Sequence, residues 1–524
     1  MLCPNCGKEI QDGSKVCPYC GAELTSAKKR RHYNLKVILP IVIVLVLLFS
    51  SYAVYRVIKT HIAESEEREA IKQELPALIP YRKGDKWGFC DRDKKIVIPT
   101  AYDWVHFFSE GLAAVEINGK WGFIDTQGNM VINPVYDYAG DFSNGLARVS
   151  FESKIGYIDK EGKIVIEAND LGDFKDGIAY VNIKGKVGLT DTKGNLVLQP
   201  IYDVILDFNE GFARIMQDEK YGFVDAKGTV VAQPTYDDAG DFYESLALVR
   251  LNSKYGFIDT KGNVVIPTIY EYVGWRFSEG LVPVWIDGKW GFIDTKGNLA
   301  IPAVYDQAGE FSDGLSAVMV DGKLDAKGVL IGKWGYIDEK SNMVIKTIYD
   351  EAWYFYKGLA KIKLNDKWGY IDQKGNMIVR AIYDEVEEHF IDGFAHVKLN
   401  DKYGLVDAKG NVIAPPIYDG IGYFSEGLAY VVLNGKWGFI DTKGNMVTKV
   451  VYEDAGDFRE GLAGVCINGK CGFIDKKGNM VIPAIYDGGF EDFGVPFFNN
   501  GLALVTLNGK WGYIDMKGTQ YWED

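Results

Sequence analysis

Four cysteines near the amino terminus have the residue type and spacing of a metal site. Cys3 and Cys6 belong to the segment CPNCG, and Cys17 and Cys20 belong to CPYCG. Two residues between the thiolates, in a tight turn, let both sulfurs of a pair reach one ion. Two such pairs supply the four thiolates that Zn²⁺ takes in closed structural sites. The spacing therefore predicts one structural Zn²⁺ ion, with two disulfides or an accidental pattern as the alternatives.

Residues 1–27 resemble small zinc ribbons, and this resemblance implies a domain that folds around its metal. Four thiolates leave no open position on the ion, so catalytic zinc chemistry is not expected. A segment this short has almost no core, and the metal should supply most of its folding free energy. Zinc ribbons also contact nucleic acid or protein in some cases. The residues do not choose between those roles and a purely structural one.

A run of apolar residues long enough to cross a membrane follows the cysteines. From Val37 to Tyr55, 19 consecutive residues are uncharged and mostly aliphatic. They cover about 28 Å as a helix, against a hydrocarbon thickness of ~30 Å. We therefore predict a transmembrane helix over residues 35–58.

Two alternatives to this helix remain open. A buried soluble helix is one alternative. A signal peptide cleaved near Ser51-Tyr52-Ala53 is another, but the run begins far from the amino terminus and is longer than a signal core.

The charges beside this run predict its orientation. Residues 28–34 form a basic juxtamembrane segment that includes Lys28-Lys29-Arg30-Arg31, and basic residues concentrate on the cytoplasmic side. We expect a single-pass cell-membrane protein with a cytoplasmic amino terminus. The thiolate cluster would then lie in the reducing compartment, as free thiols require. Residues 59–76 are acidic and predict a helical linker, after which residues 77–524 would lie outside the cytoplasm.

The composition of the chain describes a globular protein with one strongly acidic part. Of 524 residues, 47% are hydrophobic and 25% are charged, which excludes a disordered chain. Residues 1–59 contain nine basic and three acidic residues, a net charge of +6, whereas the remainder contains 49 basic and 69 acidic residues, a net charge of −20. Phosphate neutralisation needs an excess of Lys and Arg, so nucleic-acid binding by residues 77–524 is not expected.

Residues 77–524 are periodic. A glycine that usually follows Trp or Tyr recurs thirteen times at a nearly constant spacing, with longer steps before the eighth copy and the last. These glycines are Gly88, Gly122, Gly156, Gly188, Gly222, Gly256, Gly291, Gly335, Gly369, Gly404, Gly438, Gly472 and Gly512. So regular a period, about 34 residues, indicates a repeat architecture.

Each repeat predicts a small antiparallel sheet. The sheet begins with an L-A-x-V strand, which an Asn-Gly hairpin turn such as Asn118-Gly119 joins to a K-W-G-F-I-D strand. A turn from Asp125 to Asn129 then leads to an N-M-V-I strand. A further short strand is expected in the Tyr-Asp segment that leads to Phe142. Phe123 and Ile124 point to opposite faces of the middle strand, so both faces should be covered by neighbouring sheets. The strand glycine is expected to admit an aromatic ring of the next repeat.

The repeats resemble the bacterial WG-repeat proteins, which are named for the Trp-Gly step. The resemblance covers most of the chain and implies a β-rich binding or surface module without one defined activity. We predict an all-β array of about 13 repeats with stacked three- or four-stranded sheets. Because propellers typically close with 4–8 blades, an open superhelix is favoured and two tandem β-propellers are the alternative.

Few other residues indicate chemistry. The five histidines are scattered without a recognisable catalytic or metal motif, and no phosphate-binding loop is present. The repeated Tyr-Asp and Asp-x-x-Gly-Asn carboxylates are interpreted as turn-forming groups and not as catalytic or calcium-binding groups, since an active site is usually singular. Aromatic residues outside the repeat pattern are candidate ligand platforms: Trp104, Trp275, Trp285, Trp353, Tyr354 and Tyr356.

These observations together predict a membrane-anchored binding or scaffold protein and not an enzyme. Its repeat array would bind a protein or a cell-envelope polymer, because repeats offer an extended surface. One alternative is a transmembrane sensor or regulator that signals through the zinc ribbon. Another is a cell-wall glycan hydrolase. The sequence does not predict the identity of the ligand or the oligomeric state.

Overall fold

The chain divides into two units. A computed structural model of the chain describes residues 2–3, 5–22, 75–152, 154–172, 174–175, 177–488 and 494–524. The units are Met1–Gln73 and Glu74–Asp524. The predicted basic segment 28–34, the transmembrane helix 35–58 and nearly all of the linker 59–76 lie outside the described residues and stay predictions. Within the described ranges, no helix has the length and apolarity to cross a membrane.

The second unit consists of thirteen small sheets, called blades 1–13 in chain order. Ten of them contain four strands and three contain three among the described residues. The strands of blades 1–6 are β1–β3 (Ile79–Lys83, Lys86–Cys90, Ile96–Tyr102), β4–β7 (Trp104–Val105, Leu112–Ile117, Lys120–Asp125, Met130–Tyr136), β8–β11 (Tyr138–Ala139, Ala147–Phe151, Lys154–Ile158, Ile164–Ala168), β12–β15 (Asp170–Leu171, Ile178–Ile183, Lys186–Asp191, Leu196–Tyr202), β16–β19 (Val204–Ile205, Phe212–Gln217, Lys220–Asp225, Val230–Tyr236) and β20–β23 (Asp238–Tyr243, Leu246–Leu251, Lys254–Asp259, Val264–Tyr270).

Blades 7–13 continue the same order. Their strands are β24–β26 (Leu281–Ile286, Lys289–Asp294, Leu299–Tyr305), β27–β30 (Gln307–Ser312, Leu315–Leu324, Leu330–Ile337, Met343–Tyr349), β31–β34 (Glu351–Tyr356, Leu359–Leu364, Lys367–Asp372, Met377–Tyr383), β35–β38 (Glu385–Val386, Phe394–Leu399, Lys402–Asp407, Val412–Tyr418), β39–β41 (Gly420–Ile421, Leu428–Leu433, Lys436–Asp441), β42–β45 (Asp454–Ala455, Leu462–Ile467, Lys470–Asp475, Met480–Tyr486) and β46–β48 (Phe498–Asn499, Leu502–Leu507, Lys510–Asp515). The last strand, β49 (Trp522–Glu523), belongs to blade 1.

The predicted strands and turns of the repeat are confirmed. Asn118 and Gly119 both have positive φ, 53° and 74°, as a two-residue hairpin turn requires. Gly128 has φ 84° in the turn that follows β6. The segment after the Tyr-Asp step does form a short strand, but it pairs with the strand that follows it and so begins the next blade, as β8 does with β9.

The glycine of the Trp-Gly step has a different role from the expected one. A Cβ atom on Gly122 would lie 2.5 Å from the carbonyl oxygen of Ile132, in the next strand of the same blade. The register shifts between Trp121 and Phe123, so β7 bulges toward this glycine. The prediction that an aromatic ring of the next repeat approaches here is therefore wrong for Gly122. At Gly512 the close group is an aromatic ring, that of Trp522, 2.2 Å from an added Cβ, but Trp522 stands at the position of Ile132 within the same repeat.

Successive blades pack face against face, as the two apolar faces of the middle strand predict. Phe123 and Ile124 are both fully buried. The ring of Phe123 in blade 2 meets the ring of Phe142 in blade 3 edge to face, with centroids 4.9 Å apart. Leu112 and Val149 belong to the same core cluster, so each blade shares its core with its neighbour.

The array closes on itself, which corrects the predicted architecture. β49 pairs in parallel with β1, and Arg82 lies opposite Trp522. Blades 1 and 13 also share a core that contains Ile79, Leu502 and Tyr521. The thirteen blades therefore form one propeller-like ring, and both the open superhelix and the two tandem propellers are wrong. Closure buries the two end faces that an open array would leave in water. The sequence of a single repeat does not predict this additional burial.

Candidate metal centre and ligand-binding surface

The four cysteines lie in two similar turns of the first unit. In each turn the glycine that follows the second cysteine donates its N–H to the carbonyl oxygen of the first cysteine at 2.9 Å, from Gly7 to Cys3 and from Gly21 to Cys17. These glycines have φ 69° and 71°, a conformation that favours glycine. The turns thus direct both sulfurs of each pair toward the same place.

The sulfur atoms fit a tetrahedral metal site. Cys3 Sγ lies 3.6 Å from Cys20 Sγ, and Cys6 Sγ lies 3.7 Å from Cys17 Sγ. All four sulfurs lie within 4.8 Å of one another. A Zn–S bond of ~2.3 Å gives a tetrahedron edge of about 3.8 Å, whereas a disulfide needs ~2.05 Å. The donor set therefore fits Zn²⁺ and does not fit the disulfide alternative.

The surroundings of the sulfurs lower the pKa of two of the thiols and raise the pKa of a third. The Ala22 N–H and the side chain of Asn5 lower the pKa of Cys20 to about 6. Backbone N–H groups, first that of Asn5, also lower the pKa of Cys3. At Cys6 the Lys8 N–H lowers the pKa, but desolvation and the neighbouring thiols outweigh it and raise the pKa to about 12. Part of the cluster is thus ready to bind a cation as thiolate.

The repeated carboxylates of the blades are engaged in local structure. Asp294 Oδ1 accepts hydrogen bonds from the backbone N–H of Lys296 and Asn298 at 2.9 and 2.8 Å, and its Oδ2 accepts one from the Asn298 side chain at 2.9 Å. In the Tyr-Asp step, Asp237 accepts hydrogen bonds from Lys220 Nζ at 2.5 Å and from the Asn252 N–H at 2.7 Å. Both geometries support the turn-forming interpretation and leave these oxygens occupied.

Two of the six candidate aromatic residues pack inside a blade or between blades. The ring of Trp104 lies 5.0 Å from that of Trp87 and joins the core of blades 1 and 2. The ring of Trp285 lies 5.6 Å from that of Trp290, the tryptophan of its own Trp-Gly step. These two residues therefore have a packing role. Trp275 is 77% exposed, and Trp353, Tyr354 and Tyr356 are each between 37 and 42% exposed.

The structure brings Tyr354 and Tyr356 together with residues that the sequence did not single out. The Tyr354 hydroxyl lies 2.6 Å from His389 Nε2 and donates to Glu388 at 3.0 Å. The rings of Tyr356 and His389 are 4.6 Å apart. Burial, and then the hydrogen bond to Glu388, raise the pKa of Tyr354. Tyrosine and histidine thus form one half-exposed aromatic cluster across blades 9 and 10.

An ion pair continues this cluster toward blade 6. Arg276 Nε lies 3.0 Å from Glu310 Oε2, and the Arg276 guanidinium stacks 4.8 Å from the ring of Tyr243. Both Arg276 and Glu310 act electrostatically on Tyr354. We call this set of side chains the blade 6–10 surface: Tyr243, Arg276, Glu310, Tyr354, Tyr356, Glu388 and His389.

A signal for the missed residues was present in the sequence. Arg276, Glu310 and His389 each stand directly before the phenylalanine that recurs after the Tyr-Asp step, and Tyr354 does the same. An alignment of the repeat sequences puts these residues in one column, which predicts that their side chains are neighbours in a stack of blades. The partners of His389 belong to a different repeat, so its neighbours in the sequence do not indicate the cluster.

A second cluster lies between blades 10 and 11. His396 Nδ1 is 3.0 Å from Glu387 Oε1, and the Tyr423 hydroxyl donates to the same oxygen at 2.6 Å. Burial raises the pKa of Glu387, but the hydrogen bonds from His396 and Tyr423 outweigh this effect and leave the pKa below its ordinary value. The carboxylate is thus held in its charged form.

One disulfide lies in the described part of the ring. Cys471 stands where most repeats have Trp or Tyr, and it is bonded to Cys466 on the paired strand. Cys90 is buried and free, as are the thiols of Cys3 and Cys17 in the first unit. At the equivalent positions of blade 7 the rings of Trp285 and Trp290 lie 5.6 Å apart, so the disulfide takes the place of that cross-strand pair.

The chain is similar to two known families. The zinc-ribbon domain family matches residues 2–24. The WG containing repeat family matches twelve segments: 87–121, 121–154, 155–186, 188–221, 221–255, 255–290, 290–323, 334–368, 368–403, 403–437, 437–471 and 472–511. No curated protein matches the chain.

Three of the similar solved structures are a eukaryotic initiation factor, the tricorn protease and an extracellular domain from B. thetaiotaomicron. Their identities are 11, 11 and 8%, and their TM-scores are 0.25, 0.21 and 0.19. The matches cover 64, 85 and 84% of this chain and 94, 61 and 81% of those chains. Likenesses this weak carry no argument about this chain. The thirteen-blade ring and the repeat matches lead to one conclusion: the chain belongs to the WG-repeat family and carries a zinc-ribbon domain at its amino end.

Proposed function

We propose that this chain is a single-pass membrane protein whose repeat ring binds a protein or a cell-envelope polymer outside the cytoplasm. The blade 6–10 surface carries the proposal. It combines two half-exposed tyrosines, Tyr354 and Tyr356, with the charged pair of Arg276 and Glu310. Aromatic faces stack on sugars or apolar side chains, and the charged groups fix orientation. The first unit is proposed to bind one structural Zn²⁺ through its four thiolates.

The cysteines support the proposed placement of the two units. Cys466 and Cys471 form a disulfide, which persists in an oxidising compartment. The four ribbon cysteines are free, as expected in a reducing compartment. A membrane between the two units is consistent with both observations. The predicted helix 35–58 would provide the connection through it.

We propose binding without catalysis. Glycoside hydrolysis uses two carboxyl groups on either side of the scissile bond, one of which protonates the leaving group. On the blade 6–10 surface, Glu310 is paired with Arg276, and Glu388 accepts a hydrogen bond from Tyr354. Incubation of the full chain with isolated peptidoglycan should release no soluble fragments. Release of fragments that stops on substitution of either glutamate would favour the hydrolase alternative instead.

The binding proposal can be tested with the full chain in detergent micelles. We expect it to co-sediment with isolated peptidoglycan or to bind an envelope protein, and the double variant Arg276→Ala/Tyr354→Ala to bind at least tenfold more weakly. Tyr138→Ala is the matched control, because Tyr138 is an exposed first-strand tyrosine of a different blade. Equal binding by both variants would contradict a role for the blade 6–10 surface.

A further inference from the structure

A cavity of about 460 Å³ lies between blades 10 and 11. Its volume falls within the ~300–1,000 Å³ that is typical of sites for small ligands. Blade 10 provides most of the walls, from β35, β36 and β37, and blade 11 provides its first strand β39 and Tyr423. The residues that line the cavity all belong to the described part of the chain, and none of them belongs to the blade 6–10 surface.

Blade 11 leaves this space open because it has a glycine where blade 2 has a tryptophan. Trp104 directly follows the Tyr-Asp step, and its ring lies 5.0 Å from that of Trp87, the tryptophan of the preceding blade's Trp-Gly step. Gly420 stands at the position of Trp104, and Tyr403 stands at that of Trp87. No ring therefore covers Tyr403 from this position, and Tyr403 is 36% exposed.

The backbone of blade 11 does not require this glycine. The φ of Gly420 is not positive, and an added Cβ would lie 3.6 Å from the nearest atom, in the side chain of Val432. That distance is an ordinary van der Waals contact. A larger residue is thus compatible with the strand, and the effect of Gly420 is to leave the cavity open.

One wall of the cavity is a hydrogen-bonded set of side chains, Glu387, His396 and Tyr423. His396 Nδ1 and the Tyr423 hydroxyl both contact Glu387 Oε1, and Glu387 Oε2 accepts the backbone N–H of His396 at 2.9 Å. The side chains of His396 and Glu387 are only 12 and 20% exposed. The protein thus holds these polar groups in place before a ligand arrives, which lowers the entropic cost of binding.

A second wall combines an ion pair with an aromatic ring. Lys398 Nζ lies 3.2 Å from Glu385 Oε1 and 5.7 Å from the centroid of the Tyr403 ring. On the side of blade 11, Tyr423 is 53% exposed. The cavity therefore offers hydrogen-bond donors, hydrogen-bond acceptors and two aromatic rings within one space.

The chemistry of these walls selects among classes of ligand. The carboxylates of Glu385 and Glu387 face a single ammonium group, so an anionic ligand would be repelled. An apolar ligand would remove water from these polar groups without replacing its hydrogen bonds. A cationic ligand would compete with Lys398 for the carboxylate that Lys398 already binds. Sugar hydroxyls donate and accept hydrogen bonds, and the C–H face of a sugar ring packs on an aromatic ring.

We propose that the cavity between blades 10 and 11 binds one unit of a neutral sugar. The face of the sugar ring packs on Tyr403, as the ring of Trp104 packs on Trp87, and its hydroxyls bind Glu385, Glu387 and Lys398. The site adds a second binding position to the ring. It goes beyond the proposed function and does not rest on it, because it shares no residue with the blade 6–10 surface.

The test is isothermal titration calorimetry of the full chain in a detergent without a sugar headgroup. Three neutral tetrasaccharides are the probes: cellotetraose, maltotetraose and tetra-N-acetylchitotetraose. We expect at least one of them to bind. Gly420→Trp, which introduces the residue of blade 2 at this position, should weaken that binding at least tenfold, because its side chain takes the place of the sugar ring. Glu385→Gln should weaken it severalfold while it leaves the cavity open.

Tyr138→Trp is the matched control, because it places a tryptophan at the same repeat position of blade 3, away from the cavity. It should bind the tetrasaccharide normally, and circular dichroism establishes that each variant is folded. Failure of all three tetrasaccharides to bind would overturn the proposal. So would unchanged binding by Gly420→Trp, or tighter binding of choline or tetragalacturonate than of every neutral tetrasaccharide.

The two binding positions of the ring are separated by crossing their variants. Arg276→Ala/Tyr354→Ala should bind the tetrasaccharide with unchanged affinity, since neither residue lines the cavity. Loss of tetrasaccharide binding in that double variant would contradict a site between blades 10 and 11. Weaker peptidoglycan binding in that double variant reports on the blade 6–10 surface, whatever the result with Gly420→Trp.

Discussion

Among the residues that the structure describes, the four ribbon cysteines combine free thiols with the geometry of a metal site. Their sulfurs lie at tetrahedral spacing, and Cys3 and Cys17 are almost completely buried. The aspartates of the blades are far more numerous, but those in the turns already accept hydrogen bonds from their own backbone. Asp294 is one example. Abundance of a reactive residue type is therefore a poor guide to chemistry in a repeat protein.

Substitution of one ribbon cysteine should remove the metal. We expect one zinc per full chain, and Cys6→Ser should lower the zinc content to near zero, because three thiolates and a hydroxyl bind Zn²⁺ much more weakly. Elemental analysis after dialysis measures this directly. Ser14→Ala is the control, since Ser14 lies in the same unit and donates to the Gln11 carbonyl oxygen, away from the sulfurs. A full zinc complement in Cys6→Ser would contradict the four-thiolate site.

At the level of strands, the glycine of the Trp-Gly step is required by the bulge and not by the neighbouring repeat. The bulge brings the backbone of β7 against Gly122. It also places Pro134, which lacks an N–H, at a position without a regular ladder hydrogen bond. The glycine of the Trp-Gly strand and the proline of the Pro-x-x-Tyr strand are therefore both explained by the same bulge.

Gly122→Ala should destabilise the ring. The new Cβ would lie 2.5 Å from the Ile132 carbonyl oxygen, so the backbone must move, at a cost of about 3 kcal/mol in the free energy of unfolding. Urea denaturation measures it. Gly140→Ala is the control, because the nearest atom to its Cβ would be 3.7 Å away and its φ is not positive. Similar losses in the two variants would show that the bulge is not the cause.

For the ring as a unit, closure depends on a few contacts between its first and last strands. Arg82 is 4% exposed, and its Nε donates to the Trp511 carbonyl oxygen at 2.6 Å. Its guanidinium also donates to the Gly84 carbonyl oxygen and forms an ion pair with Asp524 at 3.1 Å. The Gly84 N–H donates to the Glu523 carbonyl oxygen at 2.9 Å. A buried arginine with three acceptors thus joins the two ends of the array.

Arg82→Ala should open this junction. Loss of a buried charged donor leaves its acceptors unpaired, and we expect the free energy of unfolding to fall by about 3 kcal/mol. Hydrogen exchange should rise first in blades 1 and 13. Lys83→Ala is the matched control, because Lys83 and its partner Glu523 are both more than half exposed and such pairs contribute about 0–1 kcal/mol. Faster exchange spread evenly over all blades would argue against a closure contact.

Acid should unfold the ring. The pKa of the aspartates in the Tyr-Asp step is below the ordinary value of 3.8 because a lysine and a backbone N–H bind each carboxylate, at Asp103, Asp137, Asp203, Asp237, Asp384, Asp419 and Asp487. A carboxyl whose pKa is lower in the folded state stabilises the fold above its ordinary pKa, and this stabilisation disappears as the pH falls through the lowered value.

Stability in urea should therefore be constant from pH 7 to about pH 5 and should fall steeply below about pH 4. Because many such carboxylates act together, the fall should be steeper than a single titration. Added salt at pH 7 should change stability only slightly, since the side chains of these pairs are 27–49% exposed and remain in contact with solvent. A rise in stability on acidification would contradict the assignment of these pKa shifts.

The sequence by itself determined the period, the strands and the turns of the repeat, but not the bulge opposite the strand glycine. The repeat period, the Asn-Gly and Asp-x-x-Gly turns, the strands between them and the cysteine turns follow from φ preferences and from alternation within a few residues, and the structure agrees with each. The two-sided burial of the middle strand was also predictable, because Phe123 and Ile124 alternate.

The tertiary structure alone decided how the repeats meet. Ring closure depends on a small rotation between neighbouring blades, which is summed over thirteen interfaces, and no residue pattern within one repeat specifies that sum. The contacts of Arg276 with Glu310 and of Tyr354 with His389 join residues about one repeat apart, and they become visible only once the blades are in register.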